Sequence, residues 1–399
     1  MLTRQGWLVG GGAVALVAGG RLFGVLELFI IGAAAAALLG ASIAIVMLTR
    51  LRLAVARSVT PPRVYAGSPS RVELSIRNDG DRPTPVLRLF DAVTGTRGAD
   101  LLLSPLEPDV VNRAAYRLPT DRRGVIQIGP LEVVVSDPFG LASSSTIAAP
   151  MAELTVYPHI DDIAPVPHTT GDDPYAGADH PSALGRTGDD FYALRPYVVG
   201  DDLRRVHWPS TARRDELMVR QDELPWQGRV TVLLDVRRST HTPASLELAV
   251  SAAASIVTAS WKRRDLVRFM TTDNTDFGYG AGTAHAEAVM EFLATVPAAP
   301  SGSLRGVLDA LGLAGNGGAV VPIVAGVADT ELASLARLNR RFAAVTIVHF
   351  EKSSYDRAAA PDNTLAGTPG LIRVTADRPF DQAWNSTFYR GARAMAALR

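Results

Sequence analysis

The sequence predicts a multidomain chain: a two-helix transmembrane hairpin, a β-sandwich, and then an α/β domain built on an open parallel sheet. Three observations predict it. Residues 6–48 are almost purely apolar. Residues 58–157 alternate apolar and polar side chains at period two between turn clusters. From residue 229 onward, short apolar runs alternate with amphipathic helical ones. The boundaries that follow are 1–57 for the hairpin, 58–157 for the sandwich, 158–228 for a linker and charged arm, and 229–399 for the α/β domain.

In the hairpin, residues 28–48 contain no charge and 6–25 contain only Arg21. A spanning helix needs about 20 apolar residues to cross roughly 30 Å of hydrocarbon. Arg21 can snorkel to the interface, and Trp7 suits an interfacial position. The turn between the two runs is short, so they pair. Arg4 precedes the hairpin and Arg50, Arg52 and Arg57 follow it, which by the positive-inside rule places both ends and the bulk of the chain in the cytoplasm. The second apolar run, followed by arginines, distinguishes this segment from a cleaved signal peptide.

In the sandwich, "RVELSIRN" alternates and then breaks at "NDGDRPTP", and similar runs follow at roughly ten-residue spacing. "PFGLASSS" at 138–145 puts an aromatic residue and a glycine at a strand end and reads as a corner. Residues 160–187, rich in Pro, Gly and Asp, read as a linker. In the last domain, "RVTVLLD" at 229–235 is a near-continuous apolar strand of the kind buried in a parallel sheet.

Composition and motifs exclude several chemistries. The chain carries 40 basic and 40 acidic residues and no cysteine. Zero net charge argues against nucleic acid as a partner, since neutralising phosphates takes a basic excess. Lack of cysteine removes disulfides, thiol nucleophiles and thiolate metal sites. There is no G-x-x-x-x-G-K-[ST], no dinucleotide G-x-G-x-x-G and no G-x-S-x-G. The seven histidines form no H-x-x-x-H pair. These gaps leave a non-enzymatic reading.

Two constellations remain. The first is the stretch 188–223, with six arginines against eight acids, interleaved with aromatic and aliphatic residues. Phe191, Tyr192, Leu194, Tyr197, Leu203, Val206, Trp208, Leu217, Met218 and Val219 call for burial, and Gly200-Asp201-Asp202 reads as a capped turn. A docked arm whose charges are networked by bidentate arginines satisfies both properties. Asp189, Arg195, Gly200, Asp201, Arg204, Trp208, Arg213 and Arg220 are its candidate partner-binding residues. The second is Asp235, at the carboxyl end of the first strand of the last domain, where open α/β sheets bind ligands. Ser239 follows four residues later.

"GDDFYALRPYVVGDDLRRVHWPSTARRDELMVR" resembles the signature of the bacterial domain-of-unknown-function family fifty-eight, and "RRGVIQIGPLEVVVSDPFGL" at 122–141 is similar to its upstream part. Val206-His207 stands where that family has isoleucine-aspartate, and Pro209 where a lysine is common. The last domain resembles the von Willebrand factor A fold, whose metal motif is D-x-S-x-S. Here Asp235 and Ser239 match it, Arg237 replaces the middle serine, and Ser303 and Asp329 are the candidates for its later hydroxyl and acid. This resemblance implies either a weakly held magnesium ion on Asp235, Ser239 and Ser303, or no metal, with an Asp235–Arg237 salt bridge in its place. The family resemblance implies a membrane-anchored adaptor for a MoxR-type AAA+ ATPase. The metal motif implies a magnesium-dependent protein-binding domain as the alternative.

Overall fold

The computed structural model describes residues 2–49, 51–167, 190–196, 206–214, 216–223, 228–314, 317–356, 358–359, 365 and 367–396. The chain divides into two compact units, Met1–Tyr157 and Pro158–Arg399.

The first unit opens with helices α1 (Arg4–Phe23) and α2 (Leu26–Leu48), whose most apolar 18-residue windows have mean hydropathies of 1.4 and 2.4. Both are long and apolar enough to cross a membrane, which marks them as an anchor. Glycine sets their packing. A Cβ on Gly20 would lie 2.6 Å from the Phe29 amide nitrogen, and one on Gly32 would lie 2.8 Å from that of Val17. Only hydrogen fits at these crossings.

Nine strands follow: β1 (Leu53–Thr60), β2 (Arg63–Tyr65), β3 (Arg71–Asn78), β4 (Leu87–Val93), β5 (Ala99–Leu103), β6 (Val111–Arg117), β7 (Gly124–Ser136), β8 (Ser143–Ala149) and β9 (Ala152–Tyr157). One sheet has the order β1-β3-β6, and a second has the order β2-β9-β7-β4-β5 with β8 also on β7. The pairs are antiparallel except β2–β9. Alternation in β3 turns Val72, Leu74 and Ile76 inward, where they share one core with Leu87 and Leu89 of β4 and Leu131 and Val133 of β7.

The strands begin at Leu53, inside the segment read as anchor, and this changes the role of Arg57. It is not a flanking surface charge. Its guanidinium donates to Asp91 Oδ1 at 2.8 Å and to the Pro150 carbonyl, and the Tyr116 hydroxyl donates to Asp91 Oδ2 at 2.6 Å. The Arg57 and Asp91 side chains are 3% and 1% exposed. Burial, then the bond to Asp91, pushes the Tyr116 hydroxyl well above the ordinary tyrosine range, so it stays a donor.

In the second unit, β10 (Asp190–Pro196) pairs antiparallel with β11 (Met218–Glu223), and α3 (Trp208–Arg214) lies between them in sequence. The remaining elements are β12 (Arg229–Leu234), α4 (Pro243–Lys262), β13 (Leu266–Thr271), β14 (Asp276–Gly280), α5 (Gly282–Thr295), α6 (Leu304–Ala314), β15 (Ala319–Val324), α7 (Asp329–Leu338), β16 (Ala344–Val345), β17 (Ile347–Phe350), α8 (Lys352–Tyr355), β18 (Leu371–Val374) and α9 (Phe380–Ala396). They build a sheet of order β14-β13-β12-β15-β17-β18, with β16 also on β15. It is parallel apart from β14, which runs antiparallel at the edge, so the sheet is mixed rather than wholly parallel.

Helix α4 is also long and apolar enough for a span, but most of its residues are buried. Its alanines and Val250, Ile256 and Val257 pack on the sheet, so it is a core helix. On other side chains of the sheet, Leu233, Val320 and Val324 meet Leu304, Leu308 and Leu311 of α6 and Leu335 and Leu338 of α7.

The described part of the segment read as linker is docked. Ser251 and Ser255 of α4 donate to the His159 carbonyl and accept from the Asp161 amide, at 2.8 and 2.9 Å. From α9, the buried Trp384 indole donates to the Ala164 carbonyl at 2.7 Å, and the Asn385 side chain accepts the Ala164 amide at 2.7 Å.

Removing Asp91 leaves the Arg57 guanidinium buried without its carboxylate. Asp91→Ala is therefore expected to destabilise the first unit by about 3–5 kcal/mol. The pair replacement Arg57→Met with Asp91→Leu is expected to cost less. Hydrogen exchange of the β4 and β7 amides measures both, because it reads the opening of this unit alone.

Candidate functional site

β12 is buried along its length and delivers Asp235 at its carboxyl end. The chain runs from β12 to β13 on one side and then crosses to β15 on the other. Asp235 therefore sits at the switch point where open α/β sheets form their ligand crevice.

That crevice is filled by Arg237. Its Nε and one terminal nitrogen donate to the two Asp235 carboxylate oxygens, both at 2.9 Å. The other terminal nitrogen donates to Glu331 Oε1 at 2.7 Å, and a further bond of 3.2 Å reaches the Gly326 carbonyl. Asp235 also accepts from the Thr240 hydroxyl at 3.0 Å, the Thr272 hydroxyl at 3.1 Å and the Arg237 amide at 3.0 Å. Glu331 uses its second oxygen to accept the Ala328 amide at 2.8 Å, closing the first turn of α7. The Asp235 side chain is fully buried and that of Arg237 is 14% exposed.

Burial alone would weaken the charge on Arg237. The bond to Asp235 and the fields of Asp235 and Glu331 outweigh it, so the guanidinium is held above its ordinary pKa. Beside the site, burial pushes His241 below the ordinary histidine range despite the opposing field of Asp235, so it stays neutral near pH 7. Its Nδ1 lies 3.2 Å from the Ser245 hydroxyl.

Of the metal-motif residues, the structure brings Asp235 and Arg237 together and leaves the rest apart. Ser239 is exposed, and its carbonyl faces Lys352 Nζ at 3.5 Å. Thr240, one residue later, turns inward to Asp235 instead. Ser303 is exposed and caps α6, its hydroxyl accepting the Gly306 amide at 3.0 Å. Asp329 is exposed, and Glu331 supplies the acid. Thr240, Thr272, Gly326 and Glu331 are the members that the sequence reading missed. The usable signals were Thr272 just past the end of neighbouring β13 and Glu331 at the third position of α7.

These donors do not fit magnesium. Both oxygens of Asp235 already bind a guanidinium, and a second cation 4 Å from it meets about 4 kcal/mol of repulsion per unit charge at an effective dielectric of about 20. Among the described residues, no group of three or more His, Asp or Glu side chains is placed to hold a metal.

In the arm, Asp189, Gly200, Asp201 and Arg204 lie outside the described residues. Arg195 pairs with Val219, and Leu194 with Arg220, across β10 and β11. Trp208 and Arg213 lie on α3. Val206, Met218 and Val219 are buried, as their interleaving with charges requires, but Trp208 is 66% exposed. The reason is local. The His207 amide donates to the Met218 carbonyl, and the Met218 amide donates to the Thr211 hydroxyl, so α3 packs on β11 through Thr211 and leaves Trp208 outward.

Residues 193–354 match the family described as protein of unknown function DUF58, from β10 through α8. This segment is what the family resemblance rests on, and the stretch at 122–141 lies outside it. No curated protein matches the sequence. Among solved structures, the CARDB domain of a Pyrococcus furiosus protein in complex with di-metal ions is 15% identical, with 27% of this chain and 93% of that one covered and a TM-score of 0.22. A β-glucosidase from Erythrobacter marinus is 20% identical over 27% of this chain and 15% of that one, with a TM-score of 0.18. The alkylpurine DNA glycosylase AlkC of Pseudomonas fluorescens is 12% identical over 29% and 33%, with a TM-score of 0.20. At these scores the likenesses carry no functional argument.

Arg237→Ser restores D-x-S-x-S and leaves Asp235 and Glu331 buried without their cation. The variant is expected to melt lower than the wild type and to regain stability when millimolar magnesium is added. The wild type is expected to show no magnesium-dependent shift. Thermal unfolding with and without the ion decides it, and a magnesium-stabilised wild type would overturn the assignment.

Proposed function

We propose that the protein is a non-enzymatic, membrane-anchored adaptor that acts with a cytoplasmic AAA+ ATPase of MoxR type in the assembly or activation of another complex. In this reading the hairpin crosses the membrane twice, both of its ends are cytoplasmic, and the α/β unit is a von Willebrand factor A-like binding module. The observation that carries it is the ion pair at the switch point. A ligand crevice closed by an internal arginine suits a rigid docking surface better than a reaction site. The exposed Trp208 and Arg213 on the short α3 supply a contact of the kind that dominates protein interfaces, where tryptophan and arginine are the enriched anchors.

The test is capture of partners by the full-length protein from native membranes in mild detergent, with and without ATP. An AAA+ ATPase recovered in a nucleotide-dependent manner is the expected result. Trp208→Ala combined with Arg213→Ala is expected to lower capture at least tenfold, since truncating an anchor costs about 2 kcal/mol or more. Undiminished capture by that folded variant would remove the arm from the interface. Recovery of the protein alone would remove the adaptor reading.

A further inference from the structure

The turn at 137–142 joins β7 to β8 and carries a sequence motif that the site above does not use. Its interior is fully committed. The buried Asp137 carboxylate accepts the amides of Phe139 at 2.9 Å and Ala142 at 2.6 Å, and the Asp137 amide donates to the Ala142 carbonyl at 3.1 Å. Burial would raise the Asp137 pKa, but these amides and the nearby Ser42 hydroxyl of α2 hold it below the usual carboxylate range. The hydrogen bonds that hold the carboxylate are those from the two amides.

The outside of the same turn grips the start of α1. The Thr3 amide donates to the Leu141 carbonyl at 3.0 Å, and the Thr3 hydroxyl donates to the Gly140 carbonyl at 2.6 Å while accepting the Gly6 amide at 3.0 Å. A Cβ on Gly6 would lie 2.1 Å from the Leu141 oxygen, so the turn and the helix touch backbone to backbone. The one large side chain that these contacts leave over is Phe139, 58% exposed. It belongs to the turn that grips the start of α1, and on α1 itself Trp7 is 70% exposed. At the end of the other leg, Ile147 of β8 is 65% exposed and lines a cleft with Val46, Thr49 and Leu51.

Phe139, in the turn that holds the start of α1, and Ile147, in the cleft with the end of α2, are thus exposed apolar side chains at the two ends of the hairpin. Aromatic residues partition to the membrane–water interface at this level. We propose that the two-sheet region stands on the bilayer surface with the turn at 137–142 as its foot, Phe139 and Ile147 reaching into the headgroup boundary. The inference rests on the reading that the hairpin crosses the membrane. It makes the anchor a rigid mount in place of a loose tether.

The chain has no cysteine, so a single introduced cysteine accepts a spin label at one place only. The full-length protein in phosphatidylcholine–phosphatidylglycerol vesicles would be labelled separately at Ile31→Cys, Phe139→Cys, Ile147→Cys and Asp121→Cys. Asp121 is exposed beyond the opposite end of the 13-residue β7, roughly 40 Å along the strand. Power saturation then compares access to oxygen, enriched in the bilayer, with access to a water-soluble nickel chelate. Expected is a bilayer-deep signal at 31, several-fold poorer nickel access at 139 and 147 than at 121, and full nickel access at 121. If 139 and 147 are as open to nickel as 121 while 31 is deep, the proposal fails and the spanning hairpin stands. If 31 is itself open to nickel, the hairpin reading fails and takes the proposal with it.

Discussion

The guanidinium of Arg237 ties together three parts of the second unit that are far apart in sequence. It joins the end of β12 through Asp235, the loop after β15 through the Gly326 carbonyl, and the first turn of α7 through Glu331. An arginine can do this because its planar fork offers several donors and its charge is permanent. Two buried carboxylates at this spot would repel each other and be costly to desolvate. With the guanidinium between them, each has a partner. The loops at the carboxyl ends of the strands are thereby fixed without a ligand, and the surface they present is preformed.

The first unit solves a comparable problem with the same chemistry. Arg57, Asp91 and Tyr116 form a buried cluster that joins β1, β4 and β6, strands from both sheets. Here too the arginine is bound on several sides, and a lysine could not reproduce the geometry. At its other end the unit is pinned to the hairpin through Thr3, so the sheets and the anchor meet through backbone contacts rather than through a flexible tether.

Most of the architecture was legible because periodicity is a strong signal. Two apolar runs gave the helices, period-two alternation in "RVELSIRN" gave an inward row on β3, and the unbroken "RVTVLL" gave a buried central strand. Edge strand β14 escaped because "DFGYG" carries two glycines and little alternation, and its place comes from pairing with β13. The docking of 158–167 escaped because its contacts lie with α4 and with Trp384 and Asn385, about 220 residues away in the case of α9. At the site, the position of Asp235 followed from the strand, but the choice of Thr240 over Ser239 and Glu331 over Asp329 followed from backbone turns. Spacing carries residue types, while the direction a side chain takes out of a loop depends on capping bonds such as that between Glu331 and the Ala328 amide.

The measurement that tests this account most directly is a double-mutant cycle between Arg237→Met and Glu331→Gln, with the stability of the second unit read by denaturant unfolding. Two groups that share one buried network are expected to couple by about 1 kcal/mol or more. If the two substitutions instead add to within about 0.5 kcal/mol, Arg237 does not bridge β12 to α7. The crevice would then be open to an ion or ligand.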